Sequence, residues 1–109
     1  MKLALSSQGT TLDSILSGFG RCRYFILYDT DTREVSTMSN ENNMVAGRGA
    51  GTRAAQDVVK TEAEAVITSQ IGPKAISYLK GKDMPVYVSE AQNVEQAVQE
   101  FVAGSLQAV

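Results

Sequence analysis

Apolar and polar positions along the 109-residue chain change period several times, and each change marks an element. Lys2 to Ser6 is a short apolar run, the pattern of a buried strand, broken by Ser7-Gln8-Gly9-Thr10. Leu12, Ile15, Leu16 and Phe19 then give one apolar side to a loop or a single helical turn. Arg23 to Asp29 (RYFILYD) is aromatic and β-branched, as a central strand should be. Thr30 to Arg33 is turn-like, and Glu34 to Met38 alternates weakly, so the two strands read as a hairpin. Asn40 to Gly51 is polar and glycine-rich, with no regular period. From Thr52, a plausible N-cap, the spacing of Ala54, Ala55, Val58 and Val59 is helical. Ala65 to Thr68 is a second buried strand. Pro73 opens a helix with Ala75, Ile76 and Leu79 on its core face and Gly81 as its stop. Pro85 to Val88 is a last short strand. Val94, Ala97, Val98, Phe101 and Val102 follow the i, i+3, i+4, i+7, i+8 pattern of an amphipathic helix that Gly104 ends.

The order β-β-β-α-β-α-β-α predicts a mixed sheet with helices on its faces, in one domain over residues 1–109. A chain of this mass buries roughly 65% of its unfolded surface, enough for a core without disulfides. Its single cysteine allows no internal disulfide and points to the cytoplasm. No apolar run reaches the length of a membrane span.

Histidine is absent, which removes imidazole bases, Ser-His-Asp triads and imidazole metal ligands. No carboxylate lies in Lys2 to Ser6 or in Ala65 to Thr68, so a two-metal nuclease centre is excluded as well. A hydrolase using Ser6, Ser7 or Ser69 would have only a carboxylate or Lys74 as base. The formal charge of −2 argues against a nucleic-acid binder.

Within that acidic balance the arginines cluster. Four of five (Arg21, Arg23, Arg48, Arg53) fall in two short segments, and no acid lies between Ser14 and Tyr28 or between Met44 and Gln56. Ligands of open α/β sheets sit outside the carboxyl ends of the parallel strands. Three segments should meet there: the one holding Ser7, the glycine-rich run with Arg48, Gly49, Gly51, Thr52 and Arg53, and the one holding Ser69 and Gly72. Two of these lead into helix N-termini, where free N–H groups favour an anion. GRGAG is neither a phosphate-binding Walker loop nor a dinucleotide fingerprint. Cys22, between Arg21 and Arg23, would favour its thiolate if exposed and is the one candidate soft metal ligand.

Four motifs together resemble the dinitrogenase iron–molybdenum cofactor biosynthesis family. They are KLALSSQG with Leu12-Asp13 after it, the FGRCRYF run from Phe19 to Phe25, the glycine-rich loop entering Ala54-Ala55-Gln56, and Ile71-Gly72-Pro73-Lys74-Ala75. The resemblance covers nearly the whole chain. It implies a three-layer α/β/α ribonuclease-H-like motif: a five-stranded mixed sheet of order 3-2-1-4-5 with the second strand antiparallel. It also implies a non-enzymatic carrier or binding protein for an iron–sulfur or iron–molybdenum type cluster, or a related anion. The implied partners are that cluster and a protein that donates or accepts it, with neither nucleic acid nor membrane involved. The chain itself would be a monomer or a weak dimer. Where many relatives carry histidine before or after Phe-Gly, this chain carries Gly18 and Arg21. The alternative reading is a metal-free protein-interaction or regulatory module on the same fold, its 40–51 loop ordering on a partner.

Overall fold

The computed structural model describes residues 1–45 and 47–109; Ala46, which belongs to the glycine-rich run, lies outside the described residues. Five strands are present among the described residues: β1 (Lys2–Ser7), β2 (Tyr24–Asp29), β3 (Val35–Ser39), β4 (Ala65–Thr68) and β5 (Val86–Val88). They form one sheet in the order β3-β2-β1-β4-β5. β2 runs antiparallel to both neighbours, and β1, β4 and β5 are mutually parallel. This is the mixed sheet expected from the sequence, and connection length accounts for part of it. The β2–β3 connection is a short turn, which permits only an antiparallel pair, whereas each parallel pair needs a longer crossover.

The turn is built by Asp29, whose Oδ1 accepts from the N–H groups of Asp31 (2.8 Å) and Thr32 (3.2 Å). Those two donors hold the Asp29 carboxyl below the ordinary carboxylate range. Arg33 closes the turn in the left-handed region, at φ 64°.

Helices cover the two faces unequally. Helices α2 (Ala50–Lys60) and α3 (Pro73–Gly81) share one face with Ala4, Phe25, Val66 and Val86. On the other face α4 (Val94–Val102) packs over Leu3, Leu5, Ile26 and Ile67. Each side of the strands therefore has its own apolar core, which is why β1 and β4 read as continuous apolar runs rather than alternating ones.

Three boundaries differ from the sequence expectation. The Asn40–Gly51 stretch contains a short helix, α1 (Glu41–Met44), with no buried residue. Helix α2 starts at Ala50 with Gly49 as N-cap, so Thr52 lies inside its first turn and does not cap it. Gly49 sits at φ 78°, a conformation glycine takes without strain, and this lets the helix begin earlier. Gly81 is the last residue of α3 and does not end it; the left-handed position is Asp83. The bonds Met84 N–H to Leu79 carbonyl and Asp83 N–H to Lys80 carbonyl close that end as a Schellman motif.

The segment from Leu12 to Phe19 forms no helical turn. It is a loop pinned by isolated bridges, Ser7 with Leu16, Ile15 with Asn93 and Gly18 with Gln70. Leu16 and Phe19 are buried as expected, but Ile15 points outward and is 64% exposed.

Candidate functional site

β1 and β4 end side by side, and their last residues are polar and fully buried. The Ser6 hydroxyl lies 2.5 Å from the Ser17 carbonyl oxygen and 2.7 Å from the Thr68 hydroxyl. Thr68 Oγ1 in turn lies 3.1 Å from the carbonyl oxygens of both Ser17 and Gln70. Ser17 N–H donates to the Ser6 carbonyl (3.0 Å), Ser69 N–H to the Ser17 carbonyl (3.2 Å) and Phe19 N–H to the Gln70 carbonyl (2.8 Å). Low polarity around these groups strengthens each bond and penalises its loss. The Ser17 hydroxyl itself has no partner among the described residues. Together the bonds lay residues 17–19 along the end of β4 and deliver Phe19-Gly20-Arg21 to the carboxyl edge of the parallel strands.

There the Phe19-Gly20-Arg21 segment meets the starts of two helices. A Cβ built on Gly20 would sit 3.0 Å from the Gly51 main chain, tighter than nine in ten real contacts, so any larger residue at 20 would push these two main-chain segments apart. Gly51 faces Ala75 of α3 at 3.6 Å by the same measure. Two hollows, of ≈ 310 and ≈ 500 Å³, flank this junction and share Phe19, Gly20, Gly49, Gly51 and Gly72. They form a single trough with no carboxylate in its lining. Arg21 lines the larger of the two hollows and Lys74 the smaller.

Neither helix has a side-chain cap at this end. The N–H groups of Gly51 and Thr52 in α2, and of Lys74 and Ala75 in α3, find no acceptor among the described residues. Four orphan N–H groups at each helix start are normal, and they require water, a side chain or a ligand. Two such ends on one trough place two positive dipole ends together.

Of the residues expected from the sequence, Arg21, Gly49, Gly51, Thr52 and Gly72 line the trough. Arg48 and Arg53 are exposed nearby and outside its lining. Ser69 is half-buried behind it. Ser7 is fully buried, its hydroxyl engaged with the carbonyl and N–H of Gly9. Sequence reasoning missed Phe19, Gly20 and Gln70 as lining residues, although FGR was a visible motif.

Cys22 is in the core. It is 0% exposed, and its thiol contacts the Phe19 carbonyl at 3.3 Å. Burial pushes its pKa up to about 12, against smaller opposing effects from the Ser7 and Cys22 N–H groups and the Asn40 amide. The arginines beside it in sequence are exposed while the cysteine points inward, so the exposure that a thiolate and a soft metal ligand would need is not met. Asn40 fixes this arrangement: its amide donates to the Cys22 carbonyl at 2.9 Å, and Asn43 links its Oδ1 (2.8 Å) to Asp57 on α2 (2.8 Å).

No three His, Cys, Asp or Glu side chains assemble around a common point among the described residues. The donor set therefore does not suit a bare metal ion. It suits a group that carries its own ligands and presents negative charge outward. A larger hollow of ≈ 570 Å³ lies on the α4 face, lined by Tyr28, Arg33, Glu95 and Val102 among others. Its lining holds a carboxylate, Glu95, in the first turn of α4.

The dinitrogenase iron–molybdenum cofactor family matches residues 1–104. An uncharacterized protein of Methanocaldococcus jannaschii is 28% identical over 109 residues, covering 98% of this chain and 90% of its own length. The apo form of the orange protein of Desulfovibrio gigas is 31% identical, superposes with a TM-score of 0.94, and covers 99% of this chain and 92% of that one. A Thermotoga protein provisionally described as NifB is 32% identical with a TM-score of 0.84, covering 98% and 91%.

Proposed function

The chain belongs to the dinitrogenase iron–molybdenum cofactor family, and from that premise we propose that it is a non-enzymatic carrier for an anionic, sulfide-rich metallocluster. One observation carries the reading: a carboxylate-free, glycine-lined trough receives two uncapped helix starts and has Arg21 and Lys74 in its lining. The kinship with a protein solved in its apo form supports it.

The cargo is held without protein ligation. The N–H groups of Gly51, Thr52, Lys74 and Ala75 donate to its sulfide or oxygen edges, and Arg21 and Lys74 balance its charge. Glycines at 20, 49, 51 and 72 leave the main chain bare, so a bulky rigid cluster can come close to it. Among the described residues the trough's lining holds no carboxylate, cysteine or histidine, which supports storage or delivery rather than catalysis. Arg48 and Arg53, exposed at the approach, attract the anion at longer range.

The test is anaerobic titration with a preformed, thiolate-ligated iron–sulfur cluster, followed by visible absorption. Wild type and Cys22→Ser should both take up one cluster per chain. Arg21→Ala should weaken uptake by about 3–10-fold, within the range of one charge-assisted contact. Gly20→Ala should weaken it further by forcing Arg21 away from α2. Absence of uptake by wild type would remove the cluster from the reading. Uptake abolished by Cys22→Ser would overturn the non-covalent mode.

A further inference from the structure

One polar side chain is buried next to the trough without lining it. Asn40 follows β3, is 1% exposed, and is the one buried carboxamide among the described residues. A carboxamide in a core must have its donors and its acceptor met, or its burial is costly. Both ends are met here. Its Nδ2 donates to the Cys22 carbonyl at 2.9 Å and makes a longer contact, 3.5 Å, with the Gly20 carbonyl. Its Oδ1 accepts from the Asn43 amide at 2.8 Å. Its main-chain N–H donates to the Arg23 carbonyl at 2.8 Å.

Gly20 and Cys22 stand on either side of Arg21, so Asn40 grips the chain immediately before and after that arginine. The grip has an anchor. A carboxamide nitrogen has two protons, and the Asn43 amide also donates to Asp57 Oδ2, at 2.8 Å. Asp57 is the single carboxylate of α2, and the first turn of the same helix supplies Gly51 and Thr52 to the trough. The relay Asn40–Asn43–Asp57 therefore joins the segment that carries Arg21 to the helix it meets. None of the three lines the trough.

We infer that Asn40 is a positioning residue for the trough: through the carbonyls flanking Arg21 it sets where that guanidinium stands relative to the start of α2, and Asn43 and Asp57 hold it in place. The consequence for cargo rests on the cluster-binding reading; the geometry does not. An arginine whose main chain is already fixed loses less freedom on binding than one its ligand must order. Charge alone predicts the opposite sign at Asp57. Removing a carboxylate from α2 makes the surroundings of the trough more positive and favours an anion, whereas removing the acceptor that anchors Asn43 loosens Arg21.

Cluster uptake by Asn43→Ala, Asp57→Ala and Asp57→Asn separates these effects. α1 has no buried residue, so Asn43→Ala leaves the core intact. It and Asp57→Ala should each weaken uptake about 3-fold. Asp57→Asn keeps an acceptor for Asn43 and should bind at least as tightly as wild type. In an Arg21→Ala background Asn43→Ala should cost nothing further, since nothing is left to position. The unliganded protein supplies a readout that needs no cargo. Backbone NMR relaxation should show the Gly20, Arg21 and Cys22 amides rigid in wild type, with order parameters of about 0.85, and loosened toward about 0.6 in Asn43→Ala, with β1 and β4 unchanged. If wild type takes up no cluster, the cargo reading falls and relaxation alone decides this inference. Amides from Gly20 to Cys22 that stay rigid in Asn43→Ala overturn it. So does uptake by Asn43→Ala equal to wild type, tighter binding by Asp57→Ala, or a loss of the same size with and without Arg21.

Discussion

A thiol between two arginines should ionise easily in an extended peptide, yet burial pushes the Cys22 thiol up to about 12. Successive side chains alternate here, so Arg21 and Arg23 stand in water while Cys22 enters the core beside Phe19 and Phe25. Charges in solvent are screened and do little to offset desolvation of the thiolate. The linkage has a definite sign. Folded-state pKa lies near 12 against an ordinary 9.0, so the unfolded chain loses the proton first. Stability is unaffected by this group below pH 9 and falls as pH rises toward 12, by about 1.4 kcal/mol per pH unit. Urea midpoints measured across that range should decline for wild type and decline less for Cys22→Ala. An equal slope in both proteins would show that the thiol titrates freely. Burial depends on which way a side chain faces, so this reversal was not legible from neighbours in sequence.

Among the elements, legibility followed apolar spacing. The long helices and buried strands announced themselves through core-facing residues, and their predicted bounds stand within a few residues. α1 did not, because Glu41-Asn42-Asn43-Met44 buries nothing and a four-residue helix has no face to display. Helix starts were misread where glycine geometry replaced a side-chain cap, as at Gly49. α4 is the contrasting case: the Asn93 carboxamide accepts from the Gln96 N–H at 2.8 Å, and Gly104 at φ 75° ends the helix. Since α4 is the one helix on its face of the sheet among the described residues, losing that cap should be felt globally. Asn93→Ala is expected to cost about 1 kcal/mol, read as a lowered melting temperature, with Asn93→Asp close to wild type.

Over the whole molecule, a net charge of −2 coexists with a trough free of carboxylates. That contrast was visible in the spacing of acids and arginines. Its location was readable because parallel strands must end on one side of the sheet. Which arginine would line the trough was not readable, since Arg21, Arg48 and Arg53 differ only in how their backbone segments turn. Attraction between an acidic protein and an anionic cluster has to be local, and local attraction at a half-open site is screened by salt. Raising ionic strength from about 0.02 M to 0.5 M should weaken cluster uptake by about 10-fold. An unchanged affinity would mean that hydrogen bonds alone hold the cargo. The donors proposed for those bonds are peptide groups, and this has a consequence for anyone mapping the protein by mutagenesis. Exchanging side chains one at a time leaves the N–H groups of Gly51, Thr52, Lys74 and Ala75 in place, so a substitution scan would score much of the trough as inert. A backbone ester at Thr52, which deletes one N–H and keeps the threonine side chain, reaches the atom that such a scan leaves untouched.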